Sequence, residues 1–341
     1  MHNTRRVKKR VTHDKHNTRH VKQKSGRKRK STRGRSNKNN HGKRNTRKKK
    51  TVAVFTKRKS DENPRCSPMP KDNDFSCYSN GVLFKLRDRW NITYPKQAIT
   101  SNEPKEIWTA LKDHMSKSCE KESCWLKQHF LTEKEAKMLM NESFAPISPE
   151  EWKENPTEWL SSDDILKVMK QYEQAFKCFE FLGPSPIDFN KKELYGECVW
   201  EELCHFSLSE QLKRGKTKIG IIFNLDDHNG PGTHWVSMFI DIKKKQIVFF
   251  DSAGEAIPKR IEHFVDMVTK QGQKINPPIH FEFDQNHPVE HQYGDTECGV
   301  YSIYFIVHML KDRTNSEYLK THILPDEFIQ NFRKIYFNEE L

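Results

Sequence analysis

The first fifty positions carry only four hydrophobic residues, Met1, Val7, Val11 and Val21, and no aromatic one. A segment with so little apolar surface cannot offset the entropy lost on ordering its backbone, so the pattern predicts a disordered tail. Polar residues with Pro64, Pro68 and Pro70 extend it as a linker to about residue 74. Periodicity begins after that. Ile107, Leu111 and Met115 recur at helical spacing behind Pro104. Thr132 and Glu135 stand ahead of Ala136, Met138 and Leu139 as a second helix start. Residues 75–150 are therefore expected to form a mostly helical accessory region.

The texture changes again at Trp159. Ser161, Ser162, Asp163 and Asp164 lead into Ile165, Leu166, Val168, Met169 and Tyr172, the signature of a capped amphipathic helix. Three β-rich runs follow, Lys218–Leu225, Trp235–Ile242 and Gln246–Phe250, the last two joined by the polar turn Lys243–Lys245. Helices are expected at Ile257–Gln271 and Gly299–Lys311, with a strand at Ile279–Phe283 between them. The pattern gives an α+β fold, a short central sheet flanked by helices. It divides the chain into tail and linker (1–74), helical arm (75–150) and main domain (151–341).

Charge sharpens this division. The 341 residues hold 60 Lys/Arg and 46 Asp/Glu, a formal net charge of +14. Residues 1–60 contain 25 of the bases and a single acid, Asp14, so the remaining 35 bases face 45 acids. The tail is a polycation and the body is mildly acidic. A polycation binds nucleic acid or anionic surfaces by releasing counterions, without reading sequence. Phe55 is the only aromatic among its bases, so stacking on single strands is not expected. The recurrence of His2-Asn3-Thr4-Arg5 as His16-Asn17-Thr18-Arg19 is low-complexity duplication.

No run of 18 apolar residues exists, which argues against a membrane-spanning helix. The basic start lacks the apolar stretch of a secretory signal, so an intracellular protein is expected. Eight cysteines are irregularly spaced with no CxxC pair, and Cys119 and Cys124 stand alone as C-x4-C. Free thiols in a reducing compartment are expected, with no metal site and no cofactor. The sequons at Asn91 and Asn141 carry little weight in such a chain.

The candidate chemistry sits at element ends. His234 opens the run 235–242 and Asp251 closes the run 246–250. If those strands pair as a hairpin, the two side chains meet. Cys298 opens the apolar helix, and Gln292 lies six residues before it in a loop with Gly294. A thiol at a helix N-terminus is favoured as thiolate by the macrodipole and the unpaired N–H groups. A neighbouring imidazole takes its proton and later gives it to a leaving amine. A carboxylate fixes the imidazole tautomer. A Gln amide near the helix start donates to a developing oxyanion, an interaction of about 3 kcal/mol. Gly299 leaves room for a scissile bond beside the backbone. Singly, each residue has an ordinary structural explanation; together their type, order and element position agree. His287, His291 and His308 lie close to the cysteine in sequence, but their spacing fits no zinc pattern, so packing roles are expected.

The order His234-Trp235, Asp251-Ser252, Gln292, Cys298-Gly299 resembles the SUMO-specific (ubiquitin-like-protein) cysteine proteases and their relative, the adenovirus proteinase. Trp159-Leu160 with Asp163 and Asp164 is similar to the Trp-Leu-acid helix that opens that family's catalytic domain. The resemblance covers roughly residues 159–311. It implies that 151–341 is a cysteine-protease domain with a His234–Asp251–Cys298 triad and Gln292 in the oxyanion hole. It also implies substrate-binding roles for Trp159, Trp235 and Gly299, with Trp235 covering a narrow tunnel for an extended Gly-Gly terminus. Glu297 stands where SUMO-directed members usually carry Asp, and the stretch 183–215 diverges.

The layout as a whole is more similar to the polyprotein-processing members of large DNA viruses, and Phe181–Phe189 looks like a phrase they share. That similarity implies a thiol endopeptidase cutting structural precursors after Gly-Gly-type sequences, packaged in the virion. A deconjugating isopeptidase for ubiquitin or a ubiquitin-like modifier is the alternative. The implied partner is a protein with a Gly-rich cleavage site. By analogy with the adenovirus relative, DNA held by residues 1–60 is a second partner.

Overall fold

The structure is a computed structural model that describes residues 53–54 and 65–338. The expectation for the basic tail lies outside the described residues. Strand β1 (Ala53–Val54) runs parallel to β8 (His322–Ile323).

Four helices follow the linker: α1 (Asn80–Thr93), α2 (Pro104–Met115), α3 (Glu122–Trp125) and α4 (Glu133–Ser143). Helix α4 starts where its sequence predicts, because Thr132 and Glu135 cap each other's backbone N–H groups reciprocally. The apolar faces of these helices converge on a core of their own that includes Val82, Leu86, Ile107, Leu111 and Leu139. The Gln171 amide donates to the Asn141 and Phe144 carbonyls and joins this region to the elements beyond it.

Those elements are, in order, α5 (Ser162–Ala175), β2 (Phe179–Phe181), β3 (Ser185–Pro186), α6 (Glu201–Cys204), α7 (Leu208–Lys213), β4 (Lys218–Asn224), β5 (Trp235–Asp241), β6 (Gln246–Phe250), α8 (Lys259–Gln273), β7 (Glu282–Gln285), α9 (Cys298–Leu310), α10 (Ser316–Thr321), β8, α11 (Asp326–Gln330) and α12 (Arg333–Tyr336). The main sheet has the order β2–β4–β5–β6–β7, with β3 also lying along β4. β4, β5 and β6 pair antiparallel, while β2, β3 and β7 run parallel to their neighbours.

The strand period of two sorts the layers. Trp235, Phe239, Val248 and Phe250 face one core together with α5 and α9. Val236, Met238, Ile240, Ile247 and Phe249 face the other core, against α8. Helix α9 is buried along its whole length, which is why its sequence shows no polar stripe. Gly220 on β4 lets the layers close: a Cβ there would stand 2.8 Å from Ile306 and 2.9 Å from Phe179.

Two expectations are corrected. The strand expected at Ile279–Phe283 forms instead at Glu282–Gln285, because the ladder with β6 begins only at the pair Gln246 and Glu282. Pro277 and Pro278 precede it, and Ile279 and Phe281 are used against Gly272 of α8 rather than in the sheet. The cysteines are not all free. Cys66–Cys77, Cys119–Cys124 and Cys198–Cys204 are bridged, leaving Cys178 and Cys298 as thiols. The bridges join residues only 5 to 11 positions apart, with Cα separations of 5.1 to 6.2 Å. Local turns bring these pairs within bonding reach, and such turns leave no regular spacing in the sequence.

Candidate active site

His234 immediately precedes β5 and Asp251 immediately follows β6. Antiparallel pairing sets Ser237 opposite Phe250, so the hairpin brings the two flanking residues together. His234 Nε2 lies 2.7 Å from Asp251 Oδ1. Asp251 is buried and fixed on all sides. Its Oδ1 also accepts the Ala253 N–H at 2.9 Å. Its backbone N–H donates to Asn286 Oδ1, and its carbonyl accepts from Asn286 Nδ2.

With Nε2 directed at Asp251, Nδ1 is the ring nitrogen left for Cys298, whose thiol is close enough to raise the His234 pKa. Cys298 is the first residue of α9 and is only 2% exposed. The pKa of His234 is pushed up to about 10. Burial opposes the charged imidazole, but the interactions with Asp251 and Cys298 outweigh it.

Gln292 is held by the turn after Asp251. The N–H groups of His291 and Gln292 both donate to the Ser252 carbonyl, at 2.8 and 2.9 Å. Ser252 Oγ donates to Gln292 Oε1 at 2.7 Å, and Gln292 Nε2 donates to the Gly294 carbonyl at 2.8 Å. The amide is thereby oriented, with a second Nε2–H remaining as a donor. Asp326 ties down the same loop from the far side, accepting the N–H groups of Tyr293 and Gly294 at 3.0 and 2.8 Å. The Tyr301 hydroxyl reaches Asp326 Oδ1 at 2.9 Å, and burial followed by the Asp326 charge raises the phenol pKa.

Trp235 and Leu160 close over the start of α9. The indole N–H of Trp235 donates to the Leu160 carbonyl at 3.1 Å. A Cβ on Gly299 would lie 3.0 Å from Leu160 Cβ and 3.3 Å from Trp235 Cδ1. A cleft of about 750 Å³ runs up to this point, its walls including Trp159, Leu160, Asp163, Trp200, Asp226 and Trp235. Cys298 and His234 do not line it. The cleft approaches them through Trp235, the neighbour of His234, and through Leu160, which packs on Gly299.

The structure places the expected residues as follows: His234 bonds Asp251 with Cys298 nearby, Gln292 is anchored through Ser252, Trp235 and Leu160 crowd onto Gly299, and Trp159 stands in the cleft wall. The three other histidines pack. His308 bonds the Tyr304 carbonyl at 2.9 Å and stacks on that ring, and His287 bonds the Gly254 carbonyl at 2.8 Å. His291 is fully buried and accepts the Leu324 N–H at Nδ1; burial drops its pKa to about 4. Among the described residues Cys198, Cys204 and His205 form a group with ligand-like spacing, within 4.8 Å of one another, but its two sulfurs are bonded to each other. No described helix is long and apolar enough to cross a membrane. Sequence reasoning missed the supports, Asn286, Asp326 and a buried pair, Glu297 and Arg333 (Nε to Oε2 2.9 Å). Ser252 was visible beside Asp251, but nothing in the pattern marked it as a tether.

Residues 210–341 match the Ulp1 protease family, C-terminal catalytic domain. Over that stretch the chain is therefore similar to the catalytic domain of the Ulp1 family of cysteine proteases. Its relatives are thiol proteases of large DNA viruses. One from Acanthamoeba polyphaga mimivirus is 29% identical over 293 residues, covering 81% of this chain and 93% of the relative. A cysteine protease of African swine fever virus is 26% identical over 259 residues, covering 71% of this chain and 92% of the relative. The crystal structure of the African swine fever virus protease shares the fold, with a TM-score of 0.61 at 20% identity, over 82% of this chain and 97% of that one.

Proposed function

We propose that the chain is a thiol endopeptidase that cuts after Gly-Gly-type sequences in viral structural precursors during virion maturation. The observation that carries this reading is His234 held between the buried Asp251 carboxylate and the Cys298 thiol at the start of α9.

In this reading the Cys298 thiolate attacks the scissile carbonyl carbon. The oxyanion that forms takes hydrogen bonds from the helix-start N–H groups and from the Gln292 amide. As the C–N bond breaks, the His234 imidazolium gives its proton to the leaving amine, and a thioester remains on Cys298. Neutral His234 then takes a proton from water as the water attacks the thioester, and the thiolate–imidazolium pair is restored when the acid product leaves. Asp251 holds the ring tautomer and stabilises its charge. Glycine suits the positions before the cleaved bond because Trp235 and Leu160 crowd onto Gly299 where the cleft ends. The tail's charge supports a hold on nucleic acid inside a particle assembled in the host cytoplasm or nucleus.

The test is a cleavage screen on a proteome-derived peptide library, comparing wild type with Cys298→Ala. Turnover should vanish in Cys298→Ala while its melting curve stays that of a folded protein. Equal turnover by the variant overturns the reading. African swine fever virus relatives named as SUMO-1 cysteine proteases favour a second reading, deconjugation of a modifier. Covalent capture of Cys298 by a modifier's C-terminal electrophile, with no endopeptidase cleavage, assigns the chain to it.

A further inference from the structure

Arg333 in α12 is 4% exposed, and every arm of its guanidinium is engaged. Nε donates to both carboxylate oxygens of Glu297, at 3.1 and 2.9 Å. Nη1 donates to the Glu158 carbonyl at 2.8 Å. Nη2 reaches the carbonyls of Thr157 and Thr296, both at 3.4 Å. The guanidinium carbon lies 4.5 Å from the centre of the Trp152 ring.

What these partners have in common is their place in the chain. Thr296 and Glu297 are the two residues ahead of Cys298. Thr157 and Glu158 are the two residues ahead of Trp159 and Leu160, which wall the cleft and, through the Leu160 carbonyl, hold the Trp235 indole. We propose that Arg333 is a positioning residue for the protease site: it bolts the cleft wall at 157–160 to the residue preceding the nucleophile. It thereby sets the gap through which the residues before the cleaved bond reach Cys298.

A buried ion pair is weak evidence for stability, since an apolar pair of the same volume packs as well or better. The specificity of the contacts points elsewhere. Only a planar fork with five donors serves one carboxylate and three carbonyls on two separate segments at once; a lysine ammonium has three donors from one point. Glu297 supplies the countercharge that lets the cation be buried there.

The inference rests on the protease reading, and one kinetic series separates the two. A fluorogenic peptide ending in Gly-Gly before the reporter is turned over by wild type, Arg333→Lys, and the neutral pair Glu297→Gln with Arg333→Met. Arg333→Lys keeps the charge beside Glu297 but loses the fork, so KM should rise about tenfold while kcat stays within about threefold, as expected when the lost contacts position rather than react. Alkylation of Cys298 by iodoacetamide should stay within about twofold of wild type, because that small reagent does not use the cleft wall. The neutral pair, which keeps the fold if Arg333→Lys does not, should show the same KM rise. A merely structural role predicts a lower melting temperature with KM unmoved. An unmoved KM in a folded variant, beside active wild type, overturns this inference alone. Absence of wild-type turnover overturns both readings.

Discussion

In the proposed reaction His234 protonates the leaving amine, for which it has to keep its proton at neutral pH. His234 does so because Asp251 and Cys298 flank it, and its pKa rises to about 10. His291, fully buried beside Gln292, is pushed the other way, to about 4. The linkage signs follow from those directions. A folded pKa above the ordinary value of 6.5 makes His234 a stabiliser fully present below pH 6.5 and lost as pH rises to about 10. A lowered pKa makes His291 a stabiliser fully present above pH 6.5 and lost as pH falls to about 4. Both contributions are complete only near pH 6.5, so the melting temperature should peak there. In Cys298→Ala, where one of the two partners that raise the His234 pKa is gone, the alkaline fall should still start near pH 6.5 but end at lower pH and be smaller in total. Calorimetry of both proteins across that range checks this; superimposable alkaline flanks would show that Cys298 does not hold the imidazole charged.

At this scale His234, Asp251 and Cys298 were legible as candidates because each closes or opens a strongly patterned element. Asn286, Asp326 and Arg333 were not. They act through hydrogen bonds to main chain or carboxylate 32 to 176 positions away, and single polar residues in loops or short helices carry no periodicity that marks such a bond.

The elements that place the chemistry are the β5–β6 hairpin and α9, and both were legible from apolar runs long enough to show their period. β2 and β3 were not, since two or three residues cannot display alternation. Their pairing with β4 depends on tertiary contacts, above all the absence of a side chain at Gly220. Gly220→Ala places a methyl within 3 Å of both Phe179 and Ile306. Such overpacking should cost about 1–3 kcal/mol, read as a lower urea midpoint with an unchanged slope. Because Ile306 lies eight residues beyond Cys298 on the same rigid helix, the variant should also slow peptide turnover. An unchanged midpoint would mean that β2 and α9 can move apart freely.

For the molecule as a whole, charge divides a +24 tail from a −10 body, and the body contains two packed layers on one sheet and a separate helical core. The three bridges span loops short enough that each should contribute about 2–3 kcal/mol by restricting the unfolded chain. One of them, Cys198–Cys204, brackets Trp200 in the cleft wall. Reduction should therefore lower the unfolding midpoint by several kcal/mol in sum while leaving Cys298, which belongs to no bridge, open to alkylation. Mass spectrometry of alkylated protein before and after reduction counts the thiols; eight labelled cysteines without reductant would overturn the pairing.

The bolt formed by Arg333 also has a timetable. Its most distant partner, Thr157, is made 176 residues earlier. A ribosome adding about 5–20 residues per second needs about 10–35 s to cover that distance. During that interval the segment that walls the cleft has been synthesised but has nothing to fasten it. Arg333 also follows Cys298 by 35 positions, so the groove is fastened only after the thiol itself has been made, and synthesis serves as the delay.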